Sequence, residues 1–369
     1  MTCVNPDKGR KALNFVRGVP PPEAFPIEQL QECAKAVLER EGSVVLQYYP
    51  AAGFVPLRGW LAERYGVAME CVLVSNGSLQ ILEFLSRLLT EPGDVVFVER
   101  PSYDRAITLF RRAGLRVTGV PLEPDGFEGE ILEKQLKDEK PKFFYIIPDF
   151  QNPTGTTTSL AKRDKLVELA ERHDCWIVED SPYRDLRYWG EEVPAIFSLG
   201  SRKVLHLSSF SKVLSPGMRV GYVIGPEEVV KKLAKIAEDT YVTPNMLSQG
   251  MVYEYCQRGW LGPNIERLKS LYRPRLEALA SALEAYLPQA QWTKPEGGFF
   301  IGVYLPSEVD ISILKAKAQE EGVRLSEGRG FFPDEDGSTF LRLPFCALSA
   351  EEIQEGISLL GSIVDMLTA

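Results

Sequence analysis

The stretch Val204-Leu205-His206-Leu207-Ser208-Ser209-Phe210-Ser211-Lys212-Val213-Leu214-Ser215-Pro216-Gly217-Met218-Arg219 decides how this chain is read. A short apolar segment runs directly into a loop where one lysine stands among four serines. Short apolar strands without polar alternation fit a sheet covered on both faces. The same unit recurs on either side. Residues 72–74, 95–98, 115–120, 143–147, 176–178 and 219–224 read as strands, and residues 77–89, 103–113, 129–137 and 160–172 as helices between them. Strands alternating with helices of that length build βαβ units around a largely parallel sheet.

After about residue 226 the pattern changes. Residues 227–241, 264–285, 311–320 and 349–367 read as helices, and 299–303, 323–325 and 340–343 as strands. This α+β signature predicts a second, smaller domain. Residues 1–24 are polar and proline-rich up to Pro20-Pro21-Pro22 and read as an arm. Residues 25–40 carry Ile27, Leu30, Ala34, Val37 and Leu38 at helical spacing. The expected division is an arm with part of the small domain over 1–40, a large domain over 41–270, and the rest of the small domain over 271–369. A length of 369 residues also suits two domains.

Composition narrows the function classes. Hydrophobic residues make up 44% and charged residues 25%, ordinary globular values that set aside disorder, collagen and coiled coil. No apolar run approaches the ~18 residues of a membrane span, and residues 1–17 lack the apolar centre of a signal peptide. The 42 Lys and Arg against 51 Asp and Glu leave a net charge of −9, which argues against a nucleic-acid surface. His173 and His206 are the only histidines, too few for a His-rich metal site or a Ser–His triad. No metal is expected, and both histidines read as structural. Cys3, Cys33, Cys71, Cys175, Cys256 and Cys346 are scattered without a CxxC pair, which points to a reducing, cytoplasmic setting.

A loop lysine is ordinarily a solvated charge. Lys212 differs by its setting. An amine at a strand end, close to other cations, holds its proton less tightly and can condense with an aldehyde. The serines and Arg219 around it suit a phosphate dianion. An aldehyde cofactor that carries a phosphate is pyridoxal 5'-phosphate. Ser209-Phe210-Ser211-Lys212-x6-Arg219 resembles the cofactor-lysine motif of class I/II aminotransferases, the fold-type I pyridoxal-phosphate enzymes. The 2-aminoadipate/kynurenine aminotransferase branch is the most similar. The match runs in order from about Asn14 to the C-terminus. It implies an α/β fold with a mostly parallel central sheet flanked by helices in the large domain, and a smaller α+β domain.

The resemblance carries over residue by residue. Asp180, in Glu179-Asp180-Ser181-Pro182-Tyr183, matches the aspartate on the pyridine nitrogen, where an anion keeps the ring an electron sink; the plain alternative is a helix cap or turn residue. Tyr183 resembles the tyrosine on the cofactor's phenolic oxygen. Asn152, in the turn Asn152-Pro153-Thr154-Gly155, matches the asparagine aimed at that oxygen and at the substrate carboxylate. Gly77, Ser78 and Leu79 link a strand to a helix whose N-terminus suits the phosphate. Relatives often carry glutamine at Leu79; a backbone contact survives that departure and a side-chain contact does not. Tyr103 matches the aromatic that stacks on the pyridine ring. Tyr48 resembles the tyrosine that reaches the phosphate of a neighbouring subunit, which implies a homodimer with shared active sites; the adjacent Tyr49 is the alternative. Arg342, between Leu341 and Leu343, resembles the arginine that grips the α-carboxylate, a planar pairing that favours arginine over lysine; the alternative is a solvent-facing strand residue. Gly18 sits where relatives often have two glycines near the substrate carboxylate. Arg17 replaces the first, and either meets an acidic substrate side chain or blocks the usual pose. Arg10 and Lys11 read as surface residues, and Gly297-Gly298 as a structural pair.

These residues imply an aminotransferase working by a ping-pong cycle between an amino acid and a 2-oxo acid, with 2-oxoglutarate the expected acceptor. Lys212 is the base. Two other readings stand beside it. The same cofactor supports elimination, replacement or cyclisation, which the Arg17 and Leu79 departures keep open. A non-catalytic pyridoxal-phosphate-binding regulator shares the fold; the negative charge and the roughly 14 residues ahead of the match weigh against it. Arg17 leans towards acidic or polar substrates, and Tyr48, Tyr103 and Phe25 towards aromatic or aliphatic ones.

Overall fold

A computed structural model describes residues 12–326 and 328–368. Cys3, Arg10 and Lys11 lie outside the described residues. The central element is an eight-stranded sheet. Its order is Val72–Ser75, Gly221–Ile224, Val204–Ser209, Trp176–Asp180, Phe143–Ile146, Val95–Arg100, Arg116–Glu123 and Gly126–Phe127. The five strands from Val204–Ser209 to Arg116–Glu123 are parallel, and Gly221–Ile224 runs antiparallel to both its neighbours.

Alternating side chains feed two apolar layers, as a pleat of period two requires. Val96, Val98, Phe143, Tyr145, Val178, Leu205 and Leu207 face one cluster. Val95, Phe97, Phe144, Ile146, Ile177 and Val204 face the other. Helices Ser78–Leu89 and Asp104–Arg112 cover the first layer, through Ile81, Leu82, Ala106, Ile107 and Phe110. Helices Gly129–Glu139 and Leu160–Arg172 cover the second, through Leu132, Leu136, Leu166 and Leu169. Burial on both faces explains the uninterrupted apolar runs.

Strand order reverses around Val95–Arg100, which sits between Phe143–Ile146 and Arg116–Glu123. In such sheets a crevice opens beyond the carboxyl ends of the strands at the reversal. The loops after Ser75, Arg100, Ile146, Asp180 and Ser209 all leave from that edge.

The C-terminal part adds an antiparallel sheet of Gln291–Trp292, Phe300–Tyr304 and Phe340–Pro344. Leu13–Phe15 pairs in parallel with Val323–Leu325. The arm read over residues 1–24 is therefore partly strand where it is described. A strand of three residues, Leu13-Asn14-Phe15, is too short for a periodicity argument to find. Helix Ile27–Val45 runs past residue 40 and kinks at Glu41. Helix Leu261–Tyr286 runs through residue 270. Two helices, Val55–Tyr65 and Met246–Gln257, were not legible in the sequence. No helix among the described residues is long and apolar enough to cross a membrane.

One carboxylate stands out in the core. Glu99, on the strand Val95–Arg100, is fully buried; it accepts from Ile147 N at 2.9 Å and from Gln151 Nε2 at 3.3 Å. Burial pushes its carboxyl up to about 8, against those two hydrogen bonds. The native state then holds one more proton than the unfolded chain from the ordinary carboxylate range up to that value. Stability is fully present below that window and falls as pH rises through it, by at most ~1.4 kcal/mol per pH unit. Thermal melts between pH 5 and 9 should show Tm falling less steeply in Glu99→Gln than in the parent. Parallel curves would remove Glu99 as the cause.

Candidate active site

A cavity of about 690 Å³ lies at this carboxyl edge. It is lined by Ser78, Leu79, Tyr103, Asn152, Asp180, Tyr183, Ser209, Ser211, Lys212, Arg219, Arg17, Gly18 and Arg342. These are the residues picked from the sequence, save two. Gly77 and Tyr48 are not among the lining residues, and Tyr48 is 78% exposed.

Lys212 follows the strand Val204–Ser209 by three residues. Its Nζ makes no hydrogen bond or ion pair among the described residues. It lies 5.7 Å from the Tyr183 ring centroid and 5.5 Å from that of Phe299. Burial lowers its affinity for a proton below the usual lysine value. Arg342 and Arg219 push the same way, and Cys346 and Asp180 oppose them. The result is an amine biased towards its neutral, nucleophilic form.

Asp180 ends the strand Trp176–Asp180. Its Oδ2 accepts from Tyr145 OH at 2.8 Å, while Oδ1 is buried without a partner. Burial raises its carboxyl to about 6, with the Tyr145 hydrogen bond opposing. A buried orphan acceptor at the cavity wall calls for a donor or cation from a ligand. Its neighbour Glu179 faces the other way, paired with His206 Nδ1 at 2.8 Å and accepting from Ile196 N at 2.8 Å and Phe197 N at 3.0 Å. His206 is thus a buried structural group, and His173 ends the helix Leu160–Arg172.

At the far wall, Ser209 Oγ lies 2.8 Å from Ser211 Oγ and accepts from Ser211 N at 3.1 Å. Arg219 donates to Asn76 O and to Pro216 O, each at 3.3 Å. Gly77 has φ +105°, and a Cβ there would stand 2.2 Å from Arg219 Nη2. Only glycine lets the arginine close on the N-terminus of helix Ser78–Leu89. Early N–H groups of that helix have no partner within it. Together they form a cradle for a dianion. Gln80, one residue beyond Leu79, is turned away, its Oε1 accepting from Ser75 Oγ at 2.8 Å.

Arg342 stands on the strand Phe340–Pro344, buried rather than solvent-facing. Nη1 donates to Asn152 Oδ1 at 3.0 Å and Nη2 to Val16 O at 2.8 Å. Its guanidinium carbon lies 4.7 Å from the Phe300 ring centroid and 4.6 Å from that of Phe331. Nε is left without a partner. Tyr103, also at the cavity, caps the helix Asp104–Arg112, and burial pushes its hydroxyl up to about 12. Sequence reasoning missed Tyr145, Phe331 and Ser326. Tyr145 looks like any apolar strand residue, and the other two reach the cavity through pairings distant in sequence.

The fit to pyridoxal 5'-phosphate rests on three features: an unpaired buried carboxylate oxygen for a ring nitrogen, an amine for an aldehyde, and a serine–arginine–helix cradle for a phosphate. Comparisons agree. Residues 11–360 match the family model of aminotransferase class I and II. The chain is 38% identical over 362 residues to the 2-aminoadipate transaminase of Thermus thermophilus, covering 97% of this chain and 91% of that protein. It is 36% identical over 365 residues to aromatic-amino-acid aminotransferase 1 of Thermococcus litoralis, covering 95% and 88%. Among solved structures, the α-aminoadipate aminotransferase LysN of Thermus thermophilus, complexed with N-(5'-phosphopyridoxyl)-L-leucine, superposes with a TM-score of 0.93 at 37% identity over 97% of this chain and 93% of that one. With the fold, the cavity and these matches in agreement, this chain belongs to the class I and II aminotransferases, the pyridoxal-phosphate-dependent enzymes of fold type I.

Proposed function

We propose that Lys212, Asp180 and Arg342 carry the transfer of an amino group from an L-amino acid to a 2-oxo acid, with 2-oxoglutarate as the acceptor. The observation that carries the assignment of roles is the buried, unpaired Oδ1 of Asp180 in the same cavity as the unpaired Nζ of Lys212. When bound, pyridoxal 5'-phosphate supplies the electron sink for negative charge at the substrate Cα.

The chain's own residues do the rest. Arg342 binds the α-carboxylate, oriented by Asn152 and by the two aromatic rings beside it. Lys212 would hold the cofactor, and its amine, when free, would take the proton from the substrate Cα. Asp180 holds the ring nitrogen protonated, and Tyr145 fixes the carboxylate that does so. Tyr183 and Asn152 would hold the phenolic oxygen, and Tyr103 would cover the ring. Ser78, Ser209, Ser211 and Arg219 hold the phosphate with the N–H groups that follow Gly77, including that of Leu79. Gly18 brings its backbone to the carboxylate.

A homodimer with shared sites, in the cytoplasm, completes the reading. Leu46 and Tyr48 are 72% and 78% exposed, which suits residues covered by a second copy. Tyr49 is engaged, with its N–H on Thr243 Oγ at 2.9 Å and its ring 6.0 Å from Phe54. That favours Tyr48 as the residue offered to the neighbour. Residues 41–270 are taken as the cofactor-binding domain, and 1–40 with 271–369 as the smaller one, joined by the helix Leu261–Tyr286.

Mixing enzyme with an amino acid and no 2-oxo acid tests the reaction type. One equivalent of 2-oxo acid per site should form, the reaction should stop, and 2-oxoglutarate should restart it. Continuous release of ammonia would place the chain with elimination enzymes instead.

A further inference from the structure

We propose that Gln151 is a positioning residue: its side-chain amide, seated on Glu99, locks the turn over residues 152–155 against the strand that bears Arg342, and so fixes the Asn152–Arg342 contact. The role in substrate binding rests on the reading of that contact as the α-carboxylate anchor.

Gln151 is buried, and both ends of its amide are fully engaged. Nε2 donates to Pro101 O at 2.7 Å and to Glu99 Oε2 at 3.3 Å. Oε1 accepts from Thr154 N at 2.9 Å and from Thr154 Oγ1 at 2.7 Å. An amide side chain has two donors and two acceptor sites, and all are used. The main chain of the same residue closes the turn. Gln151 N donates to Thr156 O at 2.9 Å, and Gln151 O accepts from Gly155 N at 2.6 Å. One residue therefore ties the strand Val95–Arg100, the loop ahead of Tyr103 and its own turn together.

The other side of the turn rests on the antiparallel sheet. Thr154 O accepts from Gly302 N at 3.1 Å. Gly302 is in register with Arg342, and a Cβ on it would stand 3.0 Å from Thr154 Cα. Thr154 thus meets that sheet at the level of Arg342. Two residues earlier, Asn152 Oδ1 accepts from Arg342 Nη1. Asn152 lines the cavity and Gln151 does not: one side chain faces the ligand and the next holds the turn.

This arrangement costs more than a packed turn would. Glu99 follows the apolar run Val95-Val96-Phe97-Val98 and is itself buried. A carboxyl placed there loses its water for hydrogen bonds to Ile147 N and Gln151 Nε2. A buried polar network whose members are satisfied specifies one geometry where apolar packing tolerates several. The geometry specified here is the aim of Asn152.

Calorimetric titration of the cofactor-loaded enzyme with pentanoate, a carboxylate without an amino group to transfer, tests this. Gln151→Met keeps the length of the side chain and removes its hydrogen bonds; it should weaken binding about tenfold. Asn152→Ala should weaken binding at least as much. The double variant should bind within about twofold of Asn152→Ala, because Gln151 acts through Asn152. Thr154→Val should weaken binding about threefold, and Thr154→Ser should restore it. Binding by Gln151→Met equal to the parent's, or losses that multiply in the double variant, would overturn the proposal. Should Gln151→Met fail to fold, equal binding by Thr154→Val and the parent would overturn it alone. A parent that binds no pentanoate, or binds it as well with Asn152→Ala, would instead remove the anchor reading and the proposal with it.

Discussion

Lys212→Ala should lose amino transfer by roughly 10⁴-fold or more, because the proposed role has one side chain both anchor the cofactor and move the proton. The structure makes this a local loss. Lys212 Nζ makes no hydrogen bond or ion pair among the described residues, and burial together with Arg342 and Arg219 disfavours its charge. The variant should therefore melt no lower than the parent when both lack cofactor. Borohydride reduction followed by peptide mapping gives a second readout. The parent should carry the cofactor's mass on the peptide containing Lys212, and the variant on none. Turnover in Lys212→Ala near the parent's rate would sink the assignment.

Asp180→Asn should be the next most damaging change, lowering kcat by roughly 10³-fold. Asparagine keeps an acceptor for Tyr145 OH and changes little in volume, so the effect isolates the charge. The pH dependence has a definite sign. Burial holds the Asp180 carboxyl at about 6 when nothing faces Oδ1. A protonated ring nitrogen favours the ionised form, so cofactor affinity should strengthen as pH rises through that value. Lys212 contributes in the same direction, since its amine must lose a proton. The difference between parent and Asp180→Asn removes that shared part. Affinity curves of equal slope between pH 5 and 7 would show that Asp180 does not titrate against the cofactor.

Much of the fold was legible because the central strands are covered on both faces and read as unbroken apolar runs. Strand ends were less so. Residues 176–178 read as a strand, yet it continues through Glu179 and Asp180. Two adjacent carboxylates argue against a buried strand until their partners are known, and His206, Tyr145 and the loop at Ile196 lie elsewhere in sequence. Helix Val55–Tyr65 was hidden because Pro56 and Gly59 punctuate it. Met246–Gln257 buries residues around much of its circumference, so no single stripe marks it. The residues that line the cavity were legible as an ordered series of motifs. Their second layer was not, because Tyr145, Phe331 and Ser326 gain their meaning from packing.

The setting of Arg342 has one more consequence. Its guanidinium is held between Phe300 and Phe331, by an amide oxygen and a backbone carbonyl, both neutral. An arriving carboxylate therefore has no internal ion pair to break, and the side chain's rotamer freedom is surrendered on folding rather than on binding. As the proposed α-carboxylate anchor, a side chain preorganised in this way would treat every α-amino acid alike. On that reading, discrimination among substrates is left to the outer wall of the cavity.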